Sequence, residues 1–176
     1  KLMTTILLDF ENQTINADKR TTVSYHDIPT TSEEDTCKIN KHEDKYITAA
    51  GDCKVINTFE DAYPDLHGVY TKTPTNTTIL VVSKAAKGLW VKQFEFKQGK
   101  TNATFVDWFL NNMPTKAYVP ELVRDEVITT GCMSIGGGST IAKVLFDLGF
   151  TVQEVYDTVS QYDVGTNNII TTRGFK

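Results

Sequence analysis

The chain has 176 residues, 40% apolar and 23% charged, with a formal net charge of −4. That length and balance fit one soluble globular domain with a substantial core, and the negative charge without a basic cluster argues against a nucleic-acid binder. No stretch approaches the ~20 apolar residues of a membrane helix, the polar start does not read as a signal peptide, and Cys37, Cys53 and Cys132 read as the reduced thiols of a cytoplasmic protein.

Lys1-Leu2 read as vector-derived residues ahead of a native Met3, which leaves 3–176 as a single domain. Thr5 to Phe10 is a nearly continuous apolar run, the pattern of a strand covered on both faces. Asp9-Phe10-Glu11-Asn12 turns the chain, and Thr14 to Ala17 returns as a second strand ending at Asp18-Lys19-Arg20, with Thr21 to Tyr25 as its extension. Residues 29–36 are polar and read as an exposed loop. Cys37 to Ile39 and Lys45 to Ala50 follow as strands around a turn at His42-Glu43-Asp44. Asp52 suits the N-cap of a helix carrying Val55, Ile56, Phe59, Ala62 and Tyr63, stopped by Pro64.

Residues 64–76 read as loop. Thr77 to Ser83 and Leu89 to Phe96 read as a hairpin turning at 85–88. Thr101 to Leu110 is expected to hold a short helix with Phe105, Val106, Trp108 and Phe109, whereas 111–128, with Pro114 and Pro120, is expected to be irregular. Val127 to Ile135 reads as one strand leading into Gly136-Gly137-Gly138. Ser139 or Thr140 then caps a helix with Ile141, Val144, Leu145 and Leu148 on one face, ended by Gly149. Thr151 and Glu154 form a capping box for a last helix buried through Val152, Val155, Tyr156 and Val159. A turn at 163–168 and a strand from Ile169 to Phe175 close the chain. Strands, one helix, strands, two helices and a strand suit antiparallel sheets covered by helices on both outer faces.

Met3-Thr4 is the start most suggestive of chemistry. Removal of the methionine before a small residue would free Thr4, whose hydroxyl is a nucleophile and whose own α-amine is a base. That amine has a pKa of roughly 7.7–8.0, so it is partly neutral near pH 7. Taken singly, Asp18-Lys19-Arg20 reads as a solvated strand end, Lys38 as a surface lysine, and the glycine run as a tight turn, since no Walker lysine or Rossmann spacing accompanies it. His26, His42 and His67 stand apart from each other and from the cysteines, so neither a metal nor a cofactor is expected.

Taken together and in order, these segments resemble the proteasome β-subunit and HslV-like family of N-terminal nucleophile (Ntn) hydrolases. Thr4-Thr5-Ile6 resembles the family's double-threonine start. Ala17-Asp18-Lys19-Arg20-Thr21 resembles its A-D-x-R-x-T segment, two residues nearer the N-terminus than usual. Lys38-Ile39 resembles the lysine opening the third strand, Ala49-Ala50-Gly51 the A-G-G turn, Ser134 to Thr140 the glycine-rich turn, and Tyr162 to Thr166 the D-x-x-S/T turn. The resemblance implies an α+β, four-layer αββα sandwich of antiparallel sheets. It implies Thr4 as nucleophile, Lys38 as the charge favouring loss of its proton, and Asp18 as the holder of Lys38. Gly51 would be the oxyanion donor, with Gly137 beside the substrate, and Asp163 and Thr166 would position the Thr4 amine. The substrate would be a peptide or protein.

The sequence also departs from that pattern. Glycine stands at 137 where the family usually has serine, and the second glycine of the A-G-G turn is missing. The family's long second helix is not visible between Tyr63 and Thr77, so the helical layer is expected to be reduced. The family's ring depends on that layer, which leaves a closed ring unexpected and some other homo-oligomer open. The trimmed size suits a phage or other mobile-element protein. Two functions therefore compete: a threonine peptidase or amide hydrolase, inactive while Lys1-Leu2 precede Met3, and an inactive module that binds a protein partner through 97–128, with Phe105, Trp108 and Phe109.

Overall fold

The computed structural model describes residues 4–25, 28–33 and 37–175. The expectations for Lys1 to Met3, for His26 and for the last three residues of the 29–36 loop lie outside them. The chain starts with β1 (Thr5–Asp9), β2 (Thr14–Asp18), β3 (Thr21–Tyr25), β4 (Ile28–Glu33), β5 (Ile39–His42) and β6 (Lys45–Ala50). It continues through α1 (Cys53–Ala62), β7 (Thr78–Lys84), β8 (Leu89–Lys100), α2 (Phe105–Leu110) and β9 (Lys116–Ile128). It ends with β10 (Cys132–Gly136), α3 (Ser139–Asp147), α4 (Val152–Tyr162) and β11 (Ile170–Gly174).

Two antiparallel sheets form the middle of the molecule, one ordered β10-β1-β2-β11 and the other β5-β6-β7-β8-β9. Every residue of β1 is buried, because both faces of its sheet are covered. Ile6, Leu8, Ile15 and Ala17 face Leu80, Val82, Leu89 and Val91 between the sheets. On the far side of the four-stranded sheet, Leu7 packs under Ala142, Val155, Tyr156 and Val159 of α3 and α4. On the far side of the five-stranded sheet, Ile56 and Phe59 of α1 cover Ile47, Ala49, Ile79, Val81, Phe94 and Phe96. The layers are helix, sheet, sheet, helix. Among the described residues α1 is the one helix buried on the five-stranded sheet, since α2 buries none of its residues.

Several expectations are corrected by the fold. Thr21 to Tyr25 does not extend β2; β3 pairs with β4 in a separate two-stranded sheet, so Ile28–Glu33 is strand and not loop. The break falls at Lys19 and Arg20, whose N–H groups bond to Ile169 O at 2.9 Å and to Asp18 Oδ2 at 3.0 Å. Residues 116–128 are not irregular but form the 13-residue strand β9. Pro120 is tolerated there because β9 is an edge strand, with the five-stranded sheet on one side only. A bulge hides its alternation: Gln93 pairs with Arg124 and Phe94 with Leu122, which leaves Val123 extra. Val127 to Ile135 is two strands, since Ile128 ends β9 and Cys132 starts β10 in the other sheet. Gly138, not Ser139 or Thr140, is the N-cap of α3, with no side-chain cap. That helix buries Ala142 beside Ile141, Leu145 and Phe146, while Val144 and Leu148 face outward.

Tyr156 ties the helical layer to the strands that carry the site. Its fully buried hydroxyl donates toward Thr5 O at 2.9 Å and Asn16 O at 2.8 Å. Tyr156→Phe keeps the ring but leaves both carbonyls without that donor, so it is expected to cost about 1–3 kcal/mol, read as a lowered urea midpoint at unchanged m.

Candidate active site

The start of β1, the end of β2 and the start of β5 meet at one buried point. Thr4, Asp18 and Lys38 have relative exposures of 0%, 0% and 6%. Thr4 Oγ1 donates to Asp18 Oδ1 at 2.5 Å and accepts from Lys38 Nζ at 2.7 Å. Lys38 Nζ also donates to Asp18 Oδ2 at 2.8 Å and to the carbonyl of Arg20. Three acceptors around one nitrogen match the three N–H bonds of an ammonium. Asp18 receives two further donors, the Thr5 N–H at 2.9 Å and the Arg20 N–H at 3.0 Å. A carboxylate and an ammonium out of water are tolerated only when nearly every lone pair and proton is used in this way. Burial pulls Lys38 below the ordinary lysine value of 10.5; Asp18 and, more weakly, Asp163 oppose that fall.

A second chain of bonds runs beside the first. Thr166 Oγ1 donates to Asp163 Oδ2 at 2.6 Å, so its single proton is committed. Thr5 Oγ1, 2.7 Å from Thr166 Oγ1, must then be the donor between them. Thr5 Oγ1 in turn accepts from the Gly138 N–H at 3.2 Å. The direction is fixed from Gly138 through Thr5 and Thr166 to the Asp163 carboxylate. Arg20 links the two networks, since its Nη1 donates to Val164 O at 3.1 Å.

The glycine-rich turn closes over this point for a steric reason. Gly136 has φ +101°, and a Cβ there would stand 1.8 Å from Thr4 O. The Gly137 N–H donates to that same oxygen at 2.8 Å. A Cβ on Gly137 would lie 2.9 Å from Asp163 Oδ2. Gly137 therefore sits between Thr4 and Asp163.

The structure thus brings together Thr4, Asp18, Lys38, Gly137, Asp163 and Thr166. Gly51 is tied to them by no hydrogen bond among the described residues. It follows β6, which packs against β1, and has φ +137°; a Cβ there would stand 2.5 Å from Thr77 Oγ1. Sequence reading missed Thr5, Gly138 and the backbone of Arg20; the repeated threonine at 4 and 5 was the one available hint of the first. No group of three or more His, Cys, Asp or Glu among the described residues could hold a metal ion.

Removing one partner of the buried pair exposes its cost. Lys38→Met should destabilise the fold by about 3–5 kcal/mol, because Asp18 is left as an uncompensated buried carboxylate. Adding Asp18→Asn to that variant should restore part of the loss. Urea unfolding of both variants checks the pair.

No family model matches the sequence, and no curated protein sequence matches it. Solved structures do match. Eukaryotic HslV from Trypanosoma brucei superposes with a TM-score of 0.54 at 14% identity, covering 96% of this chain and 97% of that one. The Thiobacillus denitrificans BPH protein, solved in complex with epoxomicin, superposes with a TM-score of 0.57 at 9% identity, covering 96% of each chain. Over nearly its whole length, this chain has the αββα sandwich fold of HslV and the proteasome-like Ntn proteins.

Proposed function

We propose that this protein is a threonine peptidase or related amide hydrolase once Thr4 is its first residue. One observation carries the reading: the Thr4 hydroxyl is held between the carboxylate of Asp18 and the ammonium of Lys38, at 2.5 and 2.7 Å. In the proposed reaction Thr4 Oγ1 attacks the carbonyl carbon of a peptide, and its proton passes to the free α-amine, directly or through a water. Lys38 stabilises the developing alkoxide as a fixed positive charge. Asp18 holds Lys38 and fixes the threonine rotamer. Collapse of the tetrahedral intermediate expels the amine, which takes the proton, and leaves an ester on Thr4. Water then attacks that ester and releases the acid. The Gly51 N–H is the proposed oxyanion donor, and Asp163 with Thr166 the groups that orient the amine. Gly137 places no side chain between Thr4 and Asp163.

A specific observation keeps the partner-binding reading alive. Thr4 has no exposed surface while its nitrogen is in a peptide bond to Met3. A nucleophile in that state cannot meet a substrate. Protein begun at Met3 should lose the methionine and start at Thr4. It should then take up one peptide epoxyketone per chain, read by intact mass, while the form beginning Lys1-Leu2-Met3 takes up none. Thr4→Ala in the trimmed form should lower turnover by several orders of magnitude. Equal turnover in the trimmed and untrimmed forms would rule out Thr4 as an N-terminal nucleophile.

The pH profile tests the lysine. The α-amine acts neutral, so kcat/KM should rise through a pKa of roughly 7.7–8.0. Lys38 acts charged, and burial lowers its pKa, so kcat/KM should fall again below the ordinary lysine value of 10.5. A profile that keeps rising past that value argues against a charged Lys38.

A further inference from the structure

The backbone at Gly51, the proposed oxyanion donor, is fixed from both sides. Before it, Ala50 closes the β6–β7 ladder opposite Thr78. The chain then leaves the sheet through Gly51 at φ +137°, a conformation that glycine adopts readily and other residues rarely. Glycine also leaves such a conformation readily. An N–H there keeps one direction only if the peptides on both sides are held.

Thr77 supplies the second hold. Its Oγ1 accepts the Asp52 N–H at 3.0 Å, which pins the peptide after Gly51. Its body also limits how Gly51 can turn: a Cβ on Gly51 would stand 2.5 Å from Thr77 Oγ1 and 2.6 Å from Thr77 Cα. The hydroxyl is itself fixed. Thr77 is buried, and Thr75 Oγ1 lies 2.7 Å from its oxygen. Among the described residues Thr75 is the one acceptor in reach of the Thr77 proton. Thr75 is half-buried beside a cavity of about 290 Å³ that Glu95 and Phe96 also line, so its own proton can go to water. The bonds therefore run from the Asp52 N–H to Thr77 and from Thr77 to Thr75. Donation to Thr75 makes the Thr77 oxygen a better acceptor for Asp52. Asp52 in turn caps α1 through the Lys54 and Val55 N–H groups. The Gly51 turn is thus held by a ladder before it, a hydroxyl beside it and a capped helix after it.

We infer that Thr77 is a positioning residue for the proposed hydrolysis. Through the Asp52 N–H, its hydroxyl holds the Gly51 backbone so that the Gly51 N–H meets the oxygen that turns negative in the tetrahedral intermediate. The inference rests on the peptidase reading, with Gly51 as donor. A donor of this kind works by being in place before the charge develops. No hydrogen bond joins Thr77 to Thr4, Asp18 or Lys38. Loss of its hydroxyl should therefore slow the chemical step and leave binding unchanged.

The test follows labelling by a peptide epoxyketone over time, read by intact mass, on protein that begins at Thr4. Addition of Thr4 Oγ1 to the ketone develops an oxyanion in the same place as hydrolysis would. Thr77→Val keeps the shape and removes the acceptor, so it should lower kinact by roughly 10–100-fold at unchanged KI. Thr77→Ser keeps the hydroxyl and should restore most of the rate. Thr75→Val should give a smaller fall in kinact, again at unchanged KI. Urea unfolding checks that each variant is folded; Thr75 is half-buried, so its variant carries the test if Thr77→Val does not fold. Unchanged kinact in Thr77→Val, or in Thr75→Val where that variant carries the test, overturns the inference. So does a raised KI at unchanged kinact, which would make Thr77 a wall of the neighbouring cavity, and so does a Thr77→Ser protein as slow as Thr77→Val. Absence of any adduct on the unsubstituted trimmed protein overturns the peptidase reading itself, and the inference falls with it.

Discussion

The organisation of one end of this molecule follows from a single buried ammonium. Lys38 has almost no contact with water, and burial works against its charge more strongly than any one neighbour supports it. It is kept by acceptors from three separate places: the Thr4 hydroxyl, the Asp18 carboxylate and the Arg20 carbonyl. Those acceptors lie before β1, at the end of β2 and just after it. The lysine itself precedes β5 in the opposite sheet. The ion pair therefore spans both sheets of the sandwich. A shift of register in β1 or β2 would move Thr4 or Asp18 to the wrong face and leave the charge without partners.

The chain ensures that register twice. Antiparallel pairing sets Ile6 against Ala17 in β2 and against Ile135 in β10. Tyr156 then reads both strands at once, through the carbonyls of Thr5 and Asn16. Thr5 carries its side chain into the Thr166–Asp163 network, while its N–H serves Asp18. One residue thus joins the ion pair to the turn after α4. Displacing that turn would disturb the ion pair through Thr5 and through Arg20, whose guanidinium bonds to Val164 O.

Local chemistry was legible where it was strong. The unbroken apolar run of β1, the Asp52 cap of α1 and the Thr151–Glu154 box of α4 each announce an element, and each is present. β9 was hidden because an edge strand facing water need not alternate, and because Pro120 and the bulged residue Val123 interrupt its period. The split between β9 and β10 was hidden because both are β-prone and only the sheet assignment separates them. At the candidate site, Thr4 was marked by the Met3-Thr4 start, while the order of segments drew attention to Asp18, Lys38 and Asp163, through resemblance and not through any local pattern. Thr5 and Thr166, 161 residues apart, could not be paired from sequence at all. Contacts of that range depend on how whole layers stack.

The three consecutive glycines show how little freedom the site has. Each is required by a different contact. A side chain on Gly136 would enter the carbonyl of Thr4, and one on Gly138 would meet Val159 of α4 at 2.3 Å and Thr5 Oγ1 at 2.4 Å. At Gly137 the obstacle is the Asp163 carboxylate, between 2.9 and 3.3 Å away, which is held in turn by Thr166 Oγ1 and the Gly165 N–H. A side chain at 137 would have to displace that carboxylate. Its absence is what lets Asp163 lie against the turn while the Gly137 N–H reaches Thr4 O.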